Sequence, residues 1–143
     1  RTSVITGLPG EGEEEFRELC EFLKEQRLER VGAFPFSPEE GTPAAEMEFV
    51  DSEVAQARAQ MVETIQSRIM DDYSASMMGK TLEVVTEGFD RYAECYFGRS
   101  VYDAPEIDGM MYFTSEKKLG LGDFVKVYIE RRNHVSNEQT KTL

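Results

Sequence analysis

Among its 143 residues the chain has no tryptophan, one histidine (His134) and two cysteines, Cys20 and Cys95. A single His, placed in the polar stretch after Ile129, leaves no Ser-His-Asp or Cys-His arrangement for nucleophilic catalysis. The two Cys stand far apart without metal-ligand spacing, so they form neither a disulfide framework nor a zinc site. Both read as core filling, Cys20 on an apolar helix face and Cys95 in an apolar run. No stretch approaches the ~20 apolar residues of a membrane span, and no signal-peptide pattern opens the chain. A soluble, cytoplasmic, monomeric protein without membrane contact is the expectation. The chain opens at Arg1 rather than Met, so we expect its natural start to lie upstream.

Basic residues are also scarce, 16 Lys and Arg against 28 Asp and Glu, for a net charge of −12. Phosphate-backbone binding depends on Lys and Arg displacing condensed counterions, which makes nucleic acid an unfavoured partner. A basic protein suits the charge better. The imbalance is uneven. Residues 1–75 carry 17 acids and 7 bases, net −10, whereas residues 76–143 carry 11 acids and 9 bases, net −2. Two parts with different tasks are implied.

The pattern of what is present divides the chain in three. Thr2 to Thr6 is a β-branched run ending at the turn Gly7-Leu8-Pro9-Gly10. Phe16, Leu19, Cys20 and Leu23 then fall on one helical face behind an acidic first turn, and Val31 to Phe36 is a second apolar run. Strand, helix and strand at this spacing predict a βαβ unit with parallel strands. One helix cannot cover both faces of such a sheet, so residues 1–49 read as the end of a larger α/β domain. Residues 50–79 predict a connector helix, capped by Asp51, with Val54, Met61, Ile65 and Ile69 as its apolar stripe and Gly79 as its stop. From Lys80 the period becomes two. Strands are predicted at 80–87, 92–97, 110–114 and 124–129, with a turn at Gly88–Arg91 and a frayed polar tail after Ile129. The fold class is therefore α/β plus all-β, with residues 80–143 forming a small antiparallel β-barrel and tail.

The residues offer little chemistry of their own. Gly7-Leu8-Pro9-Gly10 sits at the carboxyl end of a strand, where α/β folds place ligands, but matches neither phosphate-binding glycine motif. Structural and binding readings of it stay open. Glu13 to Glu15, Glu18, Glu21 and Glu25 read as a solvated helix face. Asp103, Glu106 and Asp108, preceded by Arg99 and Tyr102, form an acidic loop suited to gripping a cationic partner or simply to facing solvent. Tyr92, Tyr96, Phe97, Tyr112 and Tyr128 alternate with apolar neighbours and read as core or half-buried strand residues rather than base-stacking platforms.

Two stretches resemble a known family. Ile5-Thr6-Gly7-Leu8-Pro9-Gly10-Glu11, with Phe36-Ser37-Pro38-Glu39-Glu40-Gly41-Thr42-Pro43-Ala44-Ala45, resembles the end of the radical S-adenosylmethionine domain of methylthiotransferases, where the motifs read roughly I-V-G-F-P-G-E-T and Y-S-P-E-E-G-T-P-A. Gly98-Arg99-Ser100-Val101-Tyr102-Asp103-Ala104-Pro105-Glu106-Ile107-Asp108-Gly109 resembles the OB-like TRAM barrel of the RimO-type branch, which modifies an aspartate of small-subunit ribosomal protein twelve. The tRNA-modifying MiaB-type branch lacks the Asp-Ala-Pro-Glu-Ile-Asp run. Gly12 stands where the family usually has Thr, no Pro precedes Gly122, and a final strand after Ile129 is hard to find. The three cysteines spaced C-x-x-x-C-x-x-C that hold the radical-generating cluster are absent, as is the domain with a second cluster.

The resemblance implies that residues 1–49 end a radical SAM partial TIM barrel. It implies S-adenosylmethionine and two 4Fe-4S clusters in the intact enzyme, with none bound by this chain alone. Ser3, Ile5 and Gly7 would lie toward the cofactor's adenosyl portion. Arg99, Tyr102, Asp103, Glu106 and Asp108 would meet a basic ribosomal protein. A MiaB-type tRNA enzyme and a non-enzymatic acidic binding module are the alternatives.

Overall fold

Strands β1 (Thr2–Thr6) and β2 (Val31–Pro35) flank helix α1 (Glu13–Gln26), and the strands pair in parallel from Thr2 opposite Val31 to Thr6 opposite Pro35. The βαβ unit expected from the sequence is present. These elements belong to a computed structural model that describes residues 1–130 and 139–142. It divides into two compact units, Arg1–Tyr73 and Ser74–Leu143. Gly12 brings no capping side chain to α1, so the Glu15 carboxylate accepts the Gly12 N–H at 2.9 Å, and three acids complement the helix dipole.

Helix α2 (Ser52–Ser76) begins where predicted, with the Asp51 carboxylate accepting the Glu53 N–H at 2.8 Å. Its buried stripe differs from the predicted one. Val54 and Met61 are exposed, while Ala55, Arg58, Ala59, Val62, Gln66 and Ile69 are buried. Ala55, Ala59, Val62, Gln66 and Ile69 are spaced alternately four and three residues, as one helix face requires, with Arg58 beside Ala59. Small Ala and two polar side chains occupy that face, so a search for large apolar residues selects its margin instead. Ala59 and Val62 join Phe16, Cys20, Leu23, Val31 and Ala33 in one core. α2 is thereby part of the first unit's interior. The Gln66 amide donates to the carbonyls of Leu28 and Glu29, at 2.9 and 2.7 Å, tying the segment between α1 and β2 to it.

The second unit is a closed barrel of five strands, β3 (Thr81–Asp90), β4 (Cys95–Ser100), β5 (Met111–Thr114), β6 (Phe124–Ile129) and β7 (Gln139–Thr142), in the ring order β3-β4-β5-β7-β6. Val84, Met111, Phe113 and Val127 form its core. Val125, Val127 and Ile129 share the inward side of β6, as the alternation predicts.

Three expectations are corrected. The turn assigned to Gly88–Arg91 begins later, because β3 continues through Gly88 with a register shift after Thr86 that leaves the alternating pattern out of step. The frayed tail holds a strand at 139–142, whose polar residues conceal it from a periodicity search; residues 131–138 and 143 lie outside the described residues. The barrel is not wholly antiparallel, since β7 pairs in parallel with β5 and antiparallel with β6. Of the aromatics, Tyr96, Phe97 and Tyr112 are half-buried as expected, whereas Tyr92 and Tyr128 are exposed.

Where β4 crosses β3 the backbones approach closely at Gly98, and a Cβ there would collide with the Val85 carbonyl oxygen. Gly98→Ala is expected to lower barrel stability by about 2 kcal/mol, because backbone on both sides must shift. A thermal melt with an unchanged midpoint would contradict this tight approach.

Candidate functional site

Two places in the chain carry the sequence-derived candidates, one in each unit. The first is the carboxyl end of β1. Val4 and Thr6 face the helices, so alternation turns Ser3 and Ile5 to the opposite face, level with Gly32 and Phe34 of β2. Ser3, Ile5 and Phe34 are exposed, which leaves one face of the two-stranded sheet open with two large apolar side chains on it. Gly7 is different from its two neighbours. It is buried with φ +80°, and a Cβ there would overlap that of Ala55 on α2. Its N–H donates to the Glu11 carboxylate at 2.9 Å. Glycine is therefore required to press the turn against α2.

Glu11 also joins this turn to Arg58. The Arg58 Nη1 donates to the Glu11 carbonyl (2.9 Å) and to its Oε1 (2.8 Å), while Nη2 donates to Glu13 Oε1 (2.7 Å). The guanidinium lies 5.2 Å from the Phe16 ring centroid, a cation–π distance. Only 7% of the Arg58 side chain and 11% of that of Glu11 are exposed, so this pair is well shielded from water. Burial opposes the charge on Arg58, but the hydrogen bonds it donates to Glu13 and Glu11 outweigh this and hold the guanidinium pKa above its ordinary value. Thr6 completes the attachment, its buried hydroxyl donating to the Ala55 carbonyl at 2.8 Å. Neither Arg58 nor its pairing was legible in advance. Its one signal is that an Arg occupies the helical face shared by Ala55, Ala59 and Val62.

The second place is the loop between β4 and β5. Asp103 Oδ2 accepts from the Ser100 N–H (3.0 Å) and from the Ser100 hydroxyl (2.7 Å). Asp108 Oδ2 accepts the Ala104 N–H at 2.6 Å. These two acids fold the loop onto itself. Glu106 holds a left-handed conformation (φ 61°) and is exposed. Arg99 donates from Nε to Glu87 Oε1 at 2.6 Å, so its charge is matched across the β3–β4 pair. Tyr102 is exposed. The expected group of acids thus occupies one loop, but only Glu106 is turned outward without a partner among the described residues. The sequence reading passed over Val101 and Ile107, exposed apolar residues of the same loop.

No group of three or more His, Cys, Asp or Glu that could hold a metal occurs among the described residues. Cys20 lies in the first unit's core and Cys95 on β4 of the second. Burial raises the pKa of both thiols, which disfavours the thiolate that iron–sulfur ligation requires. The residues present do not fit such a cluster. No described helix is long and apolar enough to cross a membrane.

Residues 78–136 match the TRAM domain family. The chain as a whole is similar to curated proteins named ribosomal protein uS12 methylthiotransferase RimO. It is 47% identical over 133 residues to that of Desulforamulus reducens, which covers 92% of the chain and 30% of the relative. It is 48% identical over 126 residues (87% and 28%) to that of a Thermoanaerobacter species, and 46% over 130 residues (90% and 29%) to that of Caldanaerobacter subterraneus subsp. tengcongensis. The chain spans about three-tenths of the length of these relatives. The family resemblance read from the motifs extends over about nine-tenths of the chain.

Arg58→Met is expected to destabilise the first unit by about 3 kcal/mol, since it strands a buried carboxylate. Hydrogen exchange would show it as lost protection around Gly7–Gly12, with the barrel's protection retained. Equal protection in the variant would mean that the pair does not hold the turn. For the thiols, raised pKa and burial predict that a disulfide reagent at pH 8 labels Cys95 first and Cys20 only on unfolding. Rapid labelling of Cys20 in the folded protein would contradict its packing.

Proposed function

We propose that the chain is the carboxy-terminal part of a cytoplasmic radical S-adenosylmethionine methylthiotransferase that adds a methylthio group to an aspartate of ribosomal protein uS12. The observation that carries this reading is the 46–48% identity to proteins of that name along almost the whole chain. The Asp103–Asp108 loop and the net charge of −12 support a basic protein substrate over tRNA.

In this reading the second unit docks the substrate protein, and residues 1–49 supply the end of the domain that binds the cofactor. Ser3 and Ile5, on the open face of β1, lie against the adenosyl portion of S-adenosylmethionine, a hydroxyl and an apolar surface suited to a nucleoside. Gly7 shapes the turn at the end of that strand, its N–H being committed to Glu11. When bound, S-adenosylmethionine and the two 4Fe-4S clusters supply radical, sulfur and methyl chemistry. The clusters take their thiolates from other parts of the enzyme, because Cys20 and Cys95 do not fit that role, and the 143-residue chain is inactive by itself. What these residues contribute is binding and orientation.

Deleting the gene in its host and measuring intact uS12 by mass spectrometry tests the reading. Loss of one methylthio group from the protein, with tRNA nucleosides unchanged, is expected. An unchanged uS12 mass would refute it, and loss of a methylthio group from tRNA adenosine would assign the chain to the tRNA-modifying branch instead.

A further inference from the structure

The loop between β4 and β5 presents an outward surface that its acidic sequence does not suggest. Asp103 and Asp108, the two carboxylates that look best suited to a cation, are spent on the loop's own Ser100 and Ala104 groups. Each of these two carboxylates is half-buried with its Oδ2 held by the loop itself, whereas Glu106 is exposed. What faces water is apolar: Val101 is 83% and Ile107 72% exposed, with Tyr102 and Met110 also open. Exposed apolar side chains crowded into one short loop are a known mark of an interaction surface. Tyr is among the residues that carry most binding energy where they bury into a partner, and aliphatic neighbours add buried apolar area.

The charge around this surface selects what can cover it. Residues 100–114 contain three carboxylates and no Lys or Arg. Nearby Arg99 is neutralised by Glu87. A field of one sign around an apolar centre favours a partner that is cationic at its rim and apolar in the middle.

We propose that Val101, Tyr102 and Ile107 form an apolar knuckle that packs onto an apolar spot with a cationic rim on the substrate protein, with Glu106 as the one carboxylate in direct ionic contact. Asp103 and Asp108 hold the loop's shape and contribute to long-range attraction. The inference rests on the reading that this unit binds uS12, and it assigns the contact to different atoms from those the acidic motif suggests. Affinity then comes chiefly from apolar burial, and the salt dependence is that of about one direct pair rather than three.

The test is binding of the 143-residue chain to purified uS12, measured by calorimetry at low and at physiological salt. Ile107→Asp and the pair Val101→Ser with Tyr102→Ala are each expected to weaken binding by about tenfold or more, since they remove central apolar contacts. Glu106→Gln is expected to weaken it by a few-fold and to flatten the salt dependence. Asp103→Asn and Asp108→Asn are expected to lower the melting temperature of the barrel. If Ile107→Asp melts like the parent and binds uS12 as tightly, the knuckle is overturned while uS12 recognition stands. Equal losses from all three carboxylate variants at unchanged melting temperature would also overturn it, in favour of an acidic grip. If the parent chain binds no uS12 at either salt, the docking role falls and the knuckle falls with it.

Discussion

The first unit depends on a shielded ion pair. Arg58, on the inner face of α2, reaches both the main chain and the side chain of Glu11, while the same carboxylate accepts the Gly7 N–H. One acid thereby fixes the turn that leaves β1 and fastens it to a helix more than forty residues away in sequence. Removing either charge leaves the other poorly solvated, which is why such a pair specifies an arrangement more firmly than its net energy suggests. Further contacts hold the same turn at the end of β1. Thr6 bonds to Ala55, Gly7 packs on Ala55, and α1 starts immediately after the turn.

The same economy of small and polar residues explains why α2 is easily misread. A helix that must lie close to a turn needs Ala where a larger side chain would clash, and Ala55 and Ala59 meet that need. Gln66 and Arg58 satisfy carbonyls and a carboxylate that burial would otherwise leave without partners. Hydrophobic periodicity registers none of this, because the face is chosen by contact distance and hydrogen bonding rather than by apolar bulk.

In the barrel, local sequence and final structure agree more closely. Val84, Phe113 and Val127 are buried between exposed or half-buried neighbours, and β-branched and aromatic residues mark the strands. The disagreements fall at the register shift after Thr86, at β4, which begins at Cys95 rather than Tyr92, and in the polar strand at 139–142. The acidic loop shows a further kind of disagreement. Its three carboxylates are equivalent in sequence, and the fold makes them unequal by giving two of them internal hydrogen bonds and turning the third outward.

The sequence alone determined the order and type of most elements, the parallel pairing of β1 with β2, the Asp51 cap and the family resemblance. Those properties reside in short-range patterns of side-chain size, branching and charge, which neighbouring residues set together. Tertiary structure alone decided that Arg58 is buried on Glu11, that a polar segment closes the barrel, and that Val101 and Ile107 rather than Asp103 and Asp108 face solvent. Each of those outcomes depends on which distant donor or strand edge lies within a few ångströms, and proximity of that kind has no trace in local composition.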